Sequence, residues 1–148
     1  MSKSRKRIPV RDSPADKDRL QFSFRYLDEV HSKFRLQDCS QEFFVALLRK
    51  IREYSEYTEA AFTEGNNAAN RHRNFWPDTS EPDGFLKIPI QLASEYGWQF
   101  ALDNPKVRHG SSDKWRVHGM LADSVFYVIW LDPLHQLCAK KARNTSKN

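Results

Sequence analysis

The chain has little that would tie it to a metal, a membrane or a nucleotide. Only two cysteines occur in 148 residues, Cys39 and Cys138, about a hundred positions apart. Without a CxxC or other short ligand spacing there is no basis for a structural zinc site, and two free thiols fit a reducing cytosol. No apolar run approaches 18 residues and no hydrophobic stretch follows the basic start, so neither a membrane span nor a secretory leader is expected. GxxxxGK[ST], a GxGxxG after a strand and HExxH are all missing, which removes the usual phosphate-loop, dinucleotide and zinc-protease readings. There is no internal repeat.

What is present is basic and aromatic. The formal net charge is +5, the sequence pI is near 9.3, and aromatic residues make up 13% of the chain. An excess of this sign favours an anionic partner, of which nucleic acid is the commonest. Much of it sits at the ends. Residues 1–19 hold seven Lys and Arg against three Asp, and residues 139–148 hold four and no acid. We read 1–19 as a disordered basic arm, 20–138 as one domain that is close to neutral, and 139–148 as a basic tail.

Within the domain, Gln21 to Asp28 alternates Phe22, Phe24 and Tyr26 with polar neighbours, the period of a half-buried strand. Asp38 or Ser40 offers an N-cap for a helix over about 40–63, with Phe43, Phe44, Leu47, Leu48, Ile51 and Tyr54 at three- and four-residue steps and a bend near Ser55. Residues 66–88 read as a loop. Pro89 opens a short helix through Tyr96, and strands follow over Trp98–Asp103, Trp115–Leu121 and Ser124–Leu131. The expected fold is α+β: an antiparallel sheet of about four strands, with one long and one short helix packed on one face.

The segment Lys114 to Leu137 carries most of the candidate chemistry. Alternation puts Arg116, His118 and Met120 on one face of their strand and Trp115, Val117 and Gly119 on the other. Arg116 and His118 then stand roughly 7 Å apart, twice the strand rise, with Lys114 extending a cationic track. A guanidinium beside an imidazole suits RNA cleavage: Arg stabilises charge on the phosphorane while His moves a proton. His135, past the stop at Pro133, is a second proton carrier if the fold brings it to that face. The same alternation also describes the solvent face of an ordinary amphipathic strand, and His135 also fits a turn cap bonded to Asp132. Tyr127 fits either the site or the core.

Arg71 to Trp76 (RHRNFW) interleaves Arg71 and Arg73 with Phe75 and Trp76, a recipe for gripping phosphate and stacking single-stranded bases. Phe75 and Trp76 equally fit a staple pinning a long loop to the core. Lys106, Arg108 and His109 form another basic loop, and Arg108 joins the nucleic-acid candidates. Asp28, Glu29 and His31 make a weak metal-site pattern, and Cys39 lacks a fixed base; no metal is expected.

The order strand, helices, three antiparallel strands in a small basic chain resembles the RelE/ParE-like toxin superfamily. The resemblance covers residues 21–64 and 98–138, and its most suggestive stretch is VFYVIWLDPLHQLC, where an apolar strand is followed by His135. It implies a cytoplasmic toxin with an antitoxin partner. It also implies a metal-independent endoribonuclease acting on RNA or the ribosome without a cofactor. Cys138 stands where such toxins often carry Tyr, which puts a Tyr-dependent step in doubt, and segment 65–97 is longer than they usually need. A non-enzymatic nucleic-acid-binding module and a protein-interaction or accessory factor are the competing readings. The interaction reading expects Phe75, Trp76 and Trp98 to form one exposed patch.

Overall fold

The structure is a computed structural model that describes residues 18–65, 70–106 and 115–137. In chain order it holds β1 (Gln21–Ser23), α1 (Gln41–Tyr54), α2 (Glu59–Glu64), β2 (Arg71–Phe75), β3 (Tyr96–Leu102), β4 (Trp115–Ala122) and β5 (Val125–Asp132), with short 3-10 turns between. The fold is α+β, as expected, but the sheet differs. Among the described residues it has five strands in the order β1-β5-β4-β3-β2, and it is mixed, because β1 runs parallel to β5 while every other pair is antiparallel.

Three local expectations are corrected. The helix over 40–63 is two helices. Ser40 starts α1 by accepting the Phe43 amide at 3.1 Å, and Thr58 starts α2 by accepting the Ala61 amide at 3.0 Å. Between them Ser55 turns its hydroxyl back onto the Arg52 carbonyl, competing with the helical ladder, and the Tyr57 carbonyl takes the Leu20 amide. The segment read as a loop contains β2, whose Arg71–Phe75 pair with Phe100–Tyr96. The expected helix from Pro89 shrinks to a 3-10 turn at Ile90–Leu92, and Tyr96 already belongs to β3.

Both helices pack on one face of the sheet, where Phe43, Leu47, Tyr54 and Phe62 meet Phe100, Val117, Phe126, Val128 and Leu131. The second face is no solvent face. Tyr26 and Phe34 from the chain after β1, the segment Trp76–Ile88 and the turn after β5 lie over it, burying Phe34, Trp76, Phe85, Met120, Ile129, Trp130 and Leu137 in a second core. Every described side chain of β4 through Met120 is buried as a result.

One irregularity decides what faces that second core. Gly119 pairs with Val128 and His118 with Trp130, so Ile129 is an extra residue in β5. Simple alternation would place Trp130 and Asp132 beside Phe126 and Val128 on the helix side. The bulge reverses the phase: Leu131 takes the helix side, and Trp130 and Asp132 turn to the face that holds Arg116 and His118.

Candidate functional site

The bulge therefore assembles a polar centre inside the second core. His118 Nε2 lies 2.9 Å from Asp132 Oδ2, and each side chain is 1% exposed. The carboxylate also ties the end of β5 to the turn that follows: Oδ1 accepts the Gln136 amide at 2.9 Å and Oδ2 the Leu137 amide at 3.2 Å. Burial alone would raise the Asp132 pKa. The His118 hydrogen bond and charge, with the two amides, outweigh burial and hold it below the ordinary aspartate value. Arg116, also buried, is the register partner of Asp132, and His118 Nδ1 has no hydrogen-bond partner among the described residues.

Next along the sheet, Gln99 pairs in register with His118 and accepts a 2.8 Å hydrogen bond from Asn74 of β2, both side chains buried. Phe34 and Trp130 stack at 4.6 Å over the centre, with the Phe34 and His118 ring centroids 6.0 Å apart. A clasp closes the cover: Glu81 meets His31 Nε2 at 2.9 Å and Lys33 Nζ at 2.6 Å, while the Lys33 amide donates to His31 Nδ1. Partial burial would raise the Glu81 pKa, but these two partners lower it.

The candidate residues separate under this geometry. Arg116 and His118 do share a face, but it is interior, and the expectation that they form a solvent-facing cationic track is corrected. The structure brings His118 to Asp132. His135 sits half-buried in the turn just beyond, in the left-handed region at φ 52°, ahead of the two amides that Asp132 captures. Tyr127 packs against Tyr26, the rings tilted to each other, at the edge of the second core. Lys114, Arg108, His109 and Cys138 lie outside the described residues, as do the arm through Lys17 and the tail from 139.

The RHRNFW stretch is split between faces. Trp76 is buried, its indole N–H donating to the Ser94 carbonyl at 3.0 Å, so it acts as the staple. Arg71 is held over the rings of Tyr54, Tyr57 and Phe62, with Nε donating to the Phe62 carbonyl. Arg73 and Phe75 are exposed. With Trp76 buried and Trp98 packed against the helix-side core, the three aromatics do not form one exposed patch. The Cys39 thiol is pushed up to about 11, mainly by burial and then by Asp38 and Asp132, which makes it a poor nucleophile.

Sequence reasoning named Asp132 only as a partner for His135 and missed its pairing with His118, and it missed Asn74, Gln99 and the His31–Glu81 clasp. Asn74 and Gln99 sit at alternating positions that any exposed strand would also fill with polar residues. Among the described residues, no group of three or more His, Cys, Asp or Glu side chains is placed to hold a metal ion, and no helix is long and apolar enough to cross a membrane. No known family model, curated protein or solved structure is significantly similar to this chain.

Proposed function

We propose that the chain is an RNA-directed nucleic-acid-binding protein whose grip comes from its basic segments and not from the sheet. The observation that supports this reading is how charge is divided. The described residues carry 12 Lys and Arg against 16 Asp and Glu, a formal charge of −4. Segments 1–17, 66–69, 107–114 and 138–148 hold the other 12 basic residues against three acids, a formal charge of +9. A polyanion is attracted to the second set and repelled by the first. The likeness to RelE/ParE-like toxins, with a ribosomal target and an antitoxin, belongs to the same proposal and rests on element order and the VFYVIWLDPLHQLC stretch.

The test is the salt dependence of binding to a labelled single-stranded RNA. Each phosphate neutralised contributes a slope of about 0.7 in log K against log salt. Changing Lys3, Arg5, Lys6 and Arg7 together to Gln in the full chain is expected to reduce the slope by up to about 3. Binding that is absent, or unchanged in that variant, would overturn the reading. The cleaving form of the reading, a metal-independent endoribonuclease using His118, Arg116 and His135, has less support, because His118 is fully buried. RNA incubated with the chain in EDTA is expected to stay intact. Cleavage that drops about a hundredfold in His118→Ala would reinstate the catalytic assignment.

A further inference from the structure

The polar centre holds one buried atom that nothing answers. His118 Nε2 lies 2.9 Å from Asp132 Oδ2, so Nε2 carries the proton, and in the neutral ring Nδ1 is left as an acceptor. Among the described residues no hydrogen-bond donor meets that nitrogen, although His118 is fully buried. A buried polar atom left unpaired carries a desolvation cost and calls for an explanation in function.

The ring that covers it is Phe34. It meets the His118 ring edge-on at 6.0 Å and stacks on Trp130 at 4.6 Å, with 22° between the two planes. Phe34 follows directly on His31 and Lys33, whose side chains hold Glu81, and no helix or strand carries residues 31–35. A cavity of about 200 Å³ opens at this clasp, with His31 and Trp130 in its lining. Small-molecule pockets begin at roughly 300 Å³, and the space given up by one displaced aromatic ring enlarges the cavity toward that size.

We propose that this cavity, with the Phe34 ring swung out, takes an unpaired RNA base that stacks on Trp130 and donates an N–H to His118 Nδ1. The inference rests on the RNA-directed reading and names the part of the RNA that enters the folded domain. Unpaired bases are recognised through these two contacts, an aromatic face and a hydrogen bond to the base edge. Charge at the mouth sorts what enters. Asp28, Glu81 and Asp83 outnumber Lys87 in the lining, so phosphate is turned away and an uncharged base is admitted. The clasp sets the affinity, because a binding-competent form that is rarely populated weakens apparent binding by that fraction.

The probe is adenosine, which carries no phosphate, titrated into the full chain and read by the His118 ring nitrogens and the Trp130 indole N–H in NMR spectra. Glu81→Ala, which releases His31 and Lys33, is expected to bind it about tenfold tighter than the parent does. Phe34→Ala, which clears the stacking place, is expected to do the same. Glu81 is partly exposed, so Glu81→Ala decides the question even where Phe34→Ala fails to fold. Adenosine dimethylated on its exocyclic amine keeps the ring but loses the N–H, and is expected to bind Glu81→Ala roughly tenfold more weakly than adenosine. Two results would overturn the proposal: no shift of His118 or Trp130 by millimolar adenosine in Glu81→Ala, or equal affinity for the dimethylated base. Adenosine is uncharged, so either failure is read apart from the salt slope of RNA binding, which continues to test the basic segments on its own.

Discussion

Gly119→Ala is expected to destabilise the fold by at least about 3 kcal/mol, the upper end for forced overpacking. A Cβ at this position would overlap the Tyr127 carbonyl oxygen and lie 2.6 Å from Phe126 Cε1 and 2.9 Å from the Tyr127 carbonyl carbon. Two of these three atoms belong to the backbone of the neighbouring strand, which cannot rotate aside as a side chain can. Gly119 is also where β5 takes in its extra residue, so relief of the overlap would have to pull apart the register that turns Asp132 toward His118. Gly65 supplies the control. The three atoms nearest a Cβ there all belong to the guanidinium of Arg71, a side chain that can shift where backbone cannot, and Gly65→Ala is expected to cost far less. Urea titrations of the two variants check the order. A Gly119→Ala midpoint equal to that of the parent would mean that β4 and β5 do not approach as closely as this bulge requires.

That glycine also marks where the sequence stopped being legible. The helix side was readable in large part from spacing: of Phe43, Phe44, Leu47, Leu48, Ile51 and Tyr54, all at helical steps after the Ser40 cap, Phe43, Leu47 and Tyr54 are buried and Ile51 partly so, while Phe44 and Leu48 are exposed. Alternation likewise sorted Arg116 and His118 from Trp115 and Val117 correctly. It failed in β5, where Val128, Ile129, Trp130 and Leu131 are apolar without interruption. A run that is hydrophobic on both faces carries no phase, so an inserted residue leaves no trace in it. The reversal that delivers Asp132 to His118 was therefore invisible.

Exposure was misjudged for a related reason. Polar residues on β4 implied a wet face, yet the segments that cover it read as loops, and the apolar side chains that do the covering are scattered singly among them. Phe34, Trp76, Phe85 and Leu137 stand far apart in sequence and converge only in the fold. The same scatter hid β2. Arg71, Arg73 and Phe75 alternate along the helix-side face of β2, and Asn74 on the opposite face is polar because it bonds Gln99 and not because it meets water. Arg71 shows the converse: an apparent phosphate ligand whose charge is spent on three aromatic rings.

Asp132→Ala is the second large effect expected, a loss of roughly 3–5 kcal/mol, because removing one member of a buried pair strands its partners. Three donors lose their acceptor at once: His118 Nε2 and the amides of Gln136 and Leu137. The damage should spread to the cover, since the Ser80 amide bonds the Leu137 carbonyl at 2.8 Å and its hydroxyl the Gln136 carbonyl at 2.9 Å. Amide exchange at Ser80 and Leu137 should quicken in this variant well before exchange in α1 does. Acid titration separates charge from shape. The folded-state pKa of Asp132 lies below its unfolded value of about 3.8, so its contribution is complete above that value and fades as pH falls through the folded one. Asp132→Asn keeps the shape without the proton equilibrium. It should be less stable than the parent at neutral pH, and the gap should narrow as pH drops below 3.8. A gap that stays constant into strong acid would show that the carboxylate charge does not hold the turn, and that His118 and Asp132 are neighbours without being partners.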